Sequence, residues 1–532
     1  MEIALNSAWR KRLLIGAAAA LCLIYVFLAG RLFMASIFAE RPDVASLQRA
    51  VQLDTNNADY RNHVGRYYAL VARDPGAAIE PYRAAVQLNP HSARYWFDLA
   101  SAYQVLGDVA NQTWALEHAI EADPTTPEVA WEAANFFLVQ GDNTRALREF
   151  RVVLESEPTM ANLAIQLCWR INPDVDMLLR DVVPAQSAAY LAFLDLLETP
   201  KRVALSTSAL PSNHGGTNWV YSLADPEAHA GSNAWVGALV ALSGYGGDAS
   251  GNNITATITA STANTIEIVN PNGTAANTAA DPDNGPVLLI SRVISDSPAL
   301  ATSGTNRETA ATAKVWNKLM ATSSASQSFE VRNAYEYLQY LLDRKDVDQA
   351  QVVWEQAVAR FNLSSGFLPR RNNLIVDGDF SLDILNAGFD WRYQKQQNVT
   401  LTLDPTDFPR GANRSLSITF DGPGVNDAGI YQFIAVQPGT TYHFSAQYKN
   451  GEFDGAGGPH FTIQDVVTRA VLYDSDELEV KAASESWKPV SGEFTTPDDC
   501  KLLVLRVRRL PEGSPIRGKL WVDDFRLAVK RQ

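Results

Sequence analysis

Cysteine is scarce in this chain: Cys22, Cys168 and Cys500 are the whole supply among 532 residues. Three scattered thiols build neither a disulfide framework nor a zinc site, and they leave the redox compartment open. Histidine is nearly as sparse. His63, His91, His118, His214, His229, His443 and His460 form no His-Glu-x-x-His motif and no other metal-ligand pair. Positive charge is in deficit, with a formal net charge of -14. Nucleic-acid binders need concentrated lysine and arginine, so nucleic acid is excluded as a partner. Carboxylates are plentiful, but a sequence offers no means of pairing two across a cleft. No catalytic constellation emerges, and the chain reads as non-enzymatic. What is not lacking is apolar surface: hydrophobic residues make up 46%, enough for packed cores. The length suits three or four domains of roughly 150 residues.

One uncharged run stands at the start. Leu13 to Gly30 follows the cluster Arg10, Lys11, Arg12, and its 18 residues nearly span a bilayer core of about 30 Å. Arg31 can snorkel, which would extend the segment through Leu32 to Ala39. The preceding positive charges put the N-terminus in the cytoplasm and the bulk of the chain in the periplasm or outside the cell. A single-pass anchor in a bacterial inner membrane is the expectation. A cleaved signal peptide is the alternative, disfavoured because no small-x-small site follows Gly30 and Leu21 precedes Cys22.

The next region repeats. Pro90, Pro124 and Pro158 each close an apolar helical stretch and lie 34 residues apart. Trp96, Leu99, Tyr103, Gly107 and Ala119 fill one unit, and Phe137, Gly141, Ala146 and Phe150 fill the next. Gly65, Tyr68, Ala78, Tyr82 and Ala85 fill the one before, with one extra residue in its turn. This pattern resembles the tetratricopeptide repeat, a 34-residue helical hairpin. Small residues let two helices approach, glycine permits the turn, and proline stops the second helix. One hairpin cannot bury its apolar face alone, so hairpins stack and offer a groove for a protein partner. An unrelated helical bundle is the alternative.

Between about 203 and 308 the composition changes. No lysine occurs between Lys201 and Lys314, and Ser, Thr, Asn, Gly and Ala dominate. Asn252–Ala260 and Asn264–Asn270 alternate as strands do, with a turn at Pro271–Thr274. A small β-rich domain inserted into the helical region is expected, with a Ser/Thr-rich loop as the alternative. Gly244–Gly251 lacks the Lys-Ser/Thr pair of a phosphate loop. The glycines after His214 have no nucleophile-elbow serine to serve. Asp281–Gly285 is not a twelve-residue calcium loop. All three read as turns. Helices resume at Ala311–Thr322, Ser328–Asp346 and Val347–Phe361.

From Asn373 to the end the chain is rich in alternating strands. Asn373, Gly378, Phe380, Trp391, Gln432, Val436, Pro438, Gly439, Tyr442, Trp487, Phe494, Asp523 and Asp524 fall in an order that resembles the family 4/9 carbohydrate-binding modules. The resemblance implies a galactose-binding-like jelly roll that binds a polysaccharide. Ligand candidates are Tyr431, Gln432, Tyr448, Arg506 and Arg508, as aromatic rings that stack on sugar faces and polar groups that read hydroxyls. Against this, strand aromatics are more often core, and alternating arginines are often a solvated face. Trp391, Trp487 and Trp521 sit at framework positions and are expected in the core. The resemblance also implies a structural calcium near Asp379 and Asp524, although Asp377 replaces the motif's Asn and Ser381 its Glu.

The expected chain is thus multidomain α + β. It runs as a tip and transmembrane anchor (1–40), repeats (41–202), a β-rich insert (203–308), resumed helical hairpins (309–362), a linker (363–372) and a jelly roll (373–532). The expected function is a membrane-anchored, non-catalytic envelope scaffold that binds protein through its repeats and glycan through its last domain, in exopolysaccharide assembly or export. Two alternatives are a purely structural scaffold with no sugar ligand and a polysaccharide-acting enzyme.

Overall fold

The computed structural model describes residues 8–294, 307–322, 329–455, 457–480, 482–509 and 515–530. The chain divides into two compact units, Met1–Leu196 and Leu197–Gln532.

The first unit is helical. Helix α1 (Ala8–Ala39) is long and apolar enough to cross a membrane. Its last turns do other work. Ala35 is fully buried, and the Arg31 guanidinium donates to the Leu53 carbonyl at the end of α2 (Val44–Leu53). Arg41 and Arg49 lie over the Phe38 ring at 5.4 and 5.8 Å. Arg31 therefore caps a helix; Leu32, Phe33 and Met34 beyond it stay exposed, and packing on protein begins at Ala35. The uncharged run Leu13 to Gly30 makes about 27 Å of helix.

Helical hairpins follow. They are α3 (Ala58–Arg66) with α4 (Pro75–Leu88), α5 (Ala93–Leu106) with α6 (Val109–Ala122), and α7 (Pro127–Val139) with α8 (Asn143–Ser156). The last two turns place glycine where the first places Arg73, at φ of +54°. Gly107 and Gly141 take φ of +72° and +78°, which glycine adopts without strain. Asp74, Asp108 and Asp142 then cap the second helix by accepting the N–H of Ala77, Asn111 and Arg145 at 3.0, 3.2 and 3.0 Å. The caps recur at the repeat spacing, a signal the sequence reading passed over. The extra residue of the first turn is absorbed by a π-helical turn, Tyr67–Val71. Gly65 is needed because a Cβ there would stand 2.5 Å from the Tyr82 ring. Helices α9 (Ala161–Ile171), α10 (Val175–Asp181) and α11 (Ser187–Glu198) carry the chain onward.

The second unit begins with the insert, which forms a packed sheet and not a loop. Its strands are β1 (Lys201–Ala204), β2 (Ser212–Gly215), β3 (Asn218–Ser222), β4 (Leu239–Ser243), β5 (Ile254–Ser261), β6 (Thr265–Val269) and β7 (Val287–Ile290). They pair antiparallel in the order β1-β7-β4-β5-β6-β3-β2 around Trp219, Tyr221, Leu242, Ile266 and Leu288. The segment 295–306, at the expected end of the insert, lies outside the described residues.

Helices α12 (Arg307–Ala321), α13 (Val331–Asp343) and α14 (Val347–Arg360) come next. Trp316 on α12 donates to Gln356 on α14 at 2.6 Å. The segment expected as a linker packs back on α14: Phe367 is buried, and its carbonyl accepts the Trp354 indole N–H at 2.7 Å. Trp354 also touches the last domain. Gly388 takes φ of +59°, and a Cβ there would stand 2.2 Å from the Trp354 ring.

The last domain is a two-sheet sandwich. Its strands are β8 (Arg392–Tyr393), β9 (Val399–Asp404), β10 (Ser415–Gly422), β11 (Asp427–Ala435), β12 (Thr441–Asn450), β13 (Asp454–Gly455), β14 (Pro459–Asp465), β15 (Val471–Asp474), β16 (Lys488–Thr495), β17 (Leu502–Arg509) and β18 (Ile516–Val529). One sheet runs β16-β12-β18-β10-β9, with β13 on β18, and the other runs β15-β14-β17-β11-β8. Strand alternation sends one side of each sheet into a core built on Phe380, Trp391, Ile418, Phe444, Phe461 and Phe525. Side chains of this size contribute about 1.5–3 kcal/mol each on burial.

Candidate functional site

Period-two alternation on β11, β14 and β17 gathers a set of polar and aromatic side chains on the outer face of one sheet. Tyr431 pairs with Arg506, Arg506 with Thr462, and Thr462 with Asp474, so four residues form a row across four strands. A second row is Asp427, Arg508 and His460. A third is Phe433, Val504 and Gln464. The Arg506 guanidinium lies 4.8 Å from the Tyr431 ring centroid and pairs with Asp427 at 3.0 Å. His460 shares a 2.8 Å contact with Asp474. Thr462 is 2% exposed, and its hydroxyl has no hydrogen-bond partner. An unsatisfied buried hydroxyl costs about 1–3 kcal/mol.

Of the five expected ligand residues, the structure brings together Tyr431, Arg506 and Arg508. It turns the other two inward. Gln432 is fully buried and its amide clamps Val376, donating to the carbonyl at 2.8 Å and accepting the N–H at 3.0 Å. Tyr448 is 4% exposed within the core, because β12 points it to the sandwich interior. Phe433, Thr462, His460 and Gln464 were missed. Phe433 was within reach, since it stands two residues after Tyr431 on the same strand.

The framework tryptophans also divide. Trp391 is core: it stacks on Phe380 at 4.9 Å and donates to the Asp377 carbonyl at 3.0 Å. Trp487 is half-buried. Trp521 stands half-buried on the outer side of the other sheet, donating to Asp404 at 2.8 Å beneath Lys519.

The opening motif builds a second feature. Asn373 bridges first and last strand segments, donating to the Phe525 carbonyl at 3.0 Å and accepting the Leu527 N–H at 3.0 Å. Gly378 is required because a Cβ would meet the Phe525 carbonyl oxygen at 2.2 Å. Between these segments lies a polar cavity of about 240 Å³ lined by Asp377, Asp379, Ser381 and Asp524, among others. Asp379 and Asp524, the expected calcium ligands, thus share one cavity. Asp524 is already engaged by Gln447 at 3.0 Å and Arg526 at 2.7 Å. The unspent oxygens belong to their neighbours: Asp377 and Asp523 are buried, and one carboxylate oxygen of each has no partner. Burial, with the nearby carboxylates adding to it, pushes Asp377 up to about 7 and Asp523 up to about 8. Asp377, Phe380 and Asp524 all adopt positive φ, so backbone strain concentrates here. Among the described residues, no three His, Cys, Asp or Glu side chains converge as a metal cluster.

Comparison with known proteins adds the family. Residues 372–511 match the carbohydrate binding domain family. Among solved structures, MamA shares 20% identity over 24% of this chain and 74% of its own, with a TM-score of 0.22. A structure described as a family 4 carbohydrate-binding module shares 19% over 29% of this chain and 99% of its own, with a TM-score of 0.23. PilF of Pseudomonas aeruginosa shares 19% over 29% and 65%, with a TM-score of 0.23. No curated protein matches the chain by sequence. The chain joins helical hairpins that recur at 34 residues, a pattern similar to the tetratricopeptide repeat, to a C-terminal segment that matches the carbohydrate binding domain family.

Proposed function

We propose that this protein is a membrane-anchored, non-catalytic envelope scaffold that binds polysaccharide on the outer face of β11, β14 and β17. The observation that carries the reading is that face itself: two aromatics, two arginines and an unspent buried hydroxyl in register, within a segment matched to a carbohydrate-binding family. Apolar rings and convergent polar groups are what sugar recognition requires. The helical repeats hold a protein partner, since stacked hairpins leave a continuous groove. Helix α1 anchors the chain, with Arg10, Lys11 and Arg12 on the cytoplasmic side and the domains beyond it in the periplasm. The setting we propose is exopolysaccharide assembly or export, supported by the pairing of a protein-binding repeat with a glycan-binding fold behind an apolar helix.

A structural calcium belongs to the proposal. The unpartnered carboxylate oxygens of Asp377 and Asp523, with Asp379 beside them, supply the hard oxygen donors that calcium takes. The ion would neutralise a cluster that now depends on bound protons.

The reading is tested by affinity electrophoresis of the full chain in gels containing xylan, mixed-linkage β-glucan or alginate. Retardation in one of them, abolished in Tyr431→Ala, is expected. A purely structural role is favoured by one observation: guanidinium groups already cover the rings of Tyr431 and Phe433, at 4.8 and 5.1 Å. Equal mobility in every gel, from folded protein, would establish that role instead.

A further inference from the structure

Arg392 is a buried cation at the edge of the glycan face, only 8% exposed. A buried guanidinium is costly unless its donors are used and its charge is compensated. Here the donors are shared between two structural layers. The Nε–H donates to the Gly388 carbonyl at 3.0 Å, and a terminal nitrogen donates to the side-chain oxygen of Gln339 on α13. Gln339 is itself held, because its amide nitrogen donates to Asp343 at 2.6 Å. That bond fixes which end of the amide faces Arg392.

On its other side Arg392 meets the face. The β8–β11 register sets it opposite Tyr431. Its guanidinium lies 5.1 Å from the Phe433 ring centroid. Tyr431 and Phe433 pack edge to face at 5.6 Å, and Arg506 covers the far side of Tyr431. The sequence of contacts therefore runs from Gln339 through Arg392 to Phe433, and from Phe433 to Tyr431. Strand β8 is two residues long, too short an edge to hold this geometry alone. Around it the hairpin is fastened to the domain at Trp354 against Gly388 and at Lys501 with Asp348, 2.6 Å apart.

We propose that Gln339 and Arg392 are positioning residues of the glycan site: α13 holds the Arg392 guanidinium, and the guanidinium holds Tyr431 and Phe433 in the arrangement that receives the sugar. The last helical hairpin is then part of the binding site, although none of its side chains touches the ligand. The proposal rests on the glycan reading above and names what preorganises that site.

The test uses the full chain with Gln339→Ala, Gln339→Glu, Gln339→Met and Tyr431→Ala. The two readouts are retardation in the polysaccharide gel and hydrogen exchange of peptides covering β8 and β11. Gln339→Ala is expected to weaken retention about tenfold, as loss of one hydrogen bond to a charged group does. It should also speed exchange at β8 and β11 while leaving β12 and β16 unchanged. Gln339→Glu keeps an acceptor for the guanidinium and should restore both readouts, whereas Gln339→Met, which keeps the bulk without the acceptor, should behave like Gln339→Ala; restoration by Gln339→Met would assign a simple packing role and overturn the proposal. Unchanged exchange at β8 and β11 in Gln339→Ala overturns the proposal. So does unchanged retention in Gln339→Ala where Tyr431→Ala abolishes it, and that result leaves the glycan reading standing. If Tyr431→Ala is retained like the wild-type chain, the glycan reading fails and this proposal falls with it.

Discussion

The two sheets of the C-terminal domain each present an aromatic and cations on their outer face, and each leaves a different kind of polar group without a partner. On the β12–β18 sheet, Trp521 lies beneath Lys519 at 4.4 Å and donates to Asp404, which also meets Lys519 at 3.2 Å. Lys449 closes on Asp407 at 2.6 Å. Directly before β16, the buried Trp487 indole N–H has no partner, and it is a group that only donates. On the β11–β17 sheet, Tyr431 lies beneath Arg506, but the Thr462 hydroxyl in the same row is buried without a partner. The difference teaches that aromatics and charges do not by themselves mark a binding surface. What separates the faces is register: the Thr462 hydroxyl, which can both donate and accept, lies in the row of Tyr431 and Arg506.

The sharpest way to break this comparison is to exchange an inward ring for an outward one. Tyr448→Ala removes a core side chain and should destabilise the domain by about 3–5 kcal/mol, in the range of large-to-small aromatic truncations, as read by chemical denaturation. Tyr431→Ala, on the half-exposed face, should cost less than about 1 kcal/mol and remove glycan retention. Similar losses of stability in both would erase the distinction between the faces.

Smaller effects sharpen it. Gly65→Ala, against the Tyr82 ring in the first hairpin, should cost about 1–3 kcal/mol by overpacking and leave glycan retention untouched. The acidic cavity gives a pH dependence of definite sign. Asp377 and Asp523 hold protons in the folded state up to pH of about 7 and 8, whereas their unfolded carboxyls ionise near 3.8. Between these values the folded chain binds more protons than the unfolded one, so stability falls as pH rises. Melting temperature in chelator should therefore decline from pH 5 to pH 8, calcium should restore it, and Asp523→Asn should flatten the decline. The smallest effect belongs to Lys530→Ala, whose exposed pair with Glu493 should be worth under about 1 kcal/mol by thermal melting.

How much of this was legible in the sequence follows from how local each cause is. The repeats were legible because spacing, small residues and turn glycines recur along the chain. Even the π-helical turn at Tyr67–Val71 showed as one extra residue. The insert showed as alternation, but its strand order depends on pairings between distant segments, such as β1 with β7. In the last domain alternation says that neighbours face opposite ways, and it leaves open which way is in. Tyr431 and Tyr448 carry the same side chain in strands of similar pattern, and only the sandwich decides between them. Asp379 and Asp524 marked the acidic cavity. The carboxylates with unspent oxygens, Asp377 and Asp523, stand out only once Asn373 and Gly378 have drawn the first and last strands together. The link from Gln339 to Arg392 spans 53 residues and leaves no mark in either local sequence.

The central claim is that one outer face binds glycan and the other does not. Retention of the full chain on the polysaccharide gel that retards it most, compared between Tyr431→Ala and Lys449→Ala, tests this most directly. The account predicts that Tyr431→Ala migrates as in a gel without polysaccharide and that Lys449→Ala is retarded like the wild-type chain. Loss of retention in Lys449→Ala with retention kept in Tyr431→Ala would contradict it and move the site to the opposite sheet.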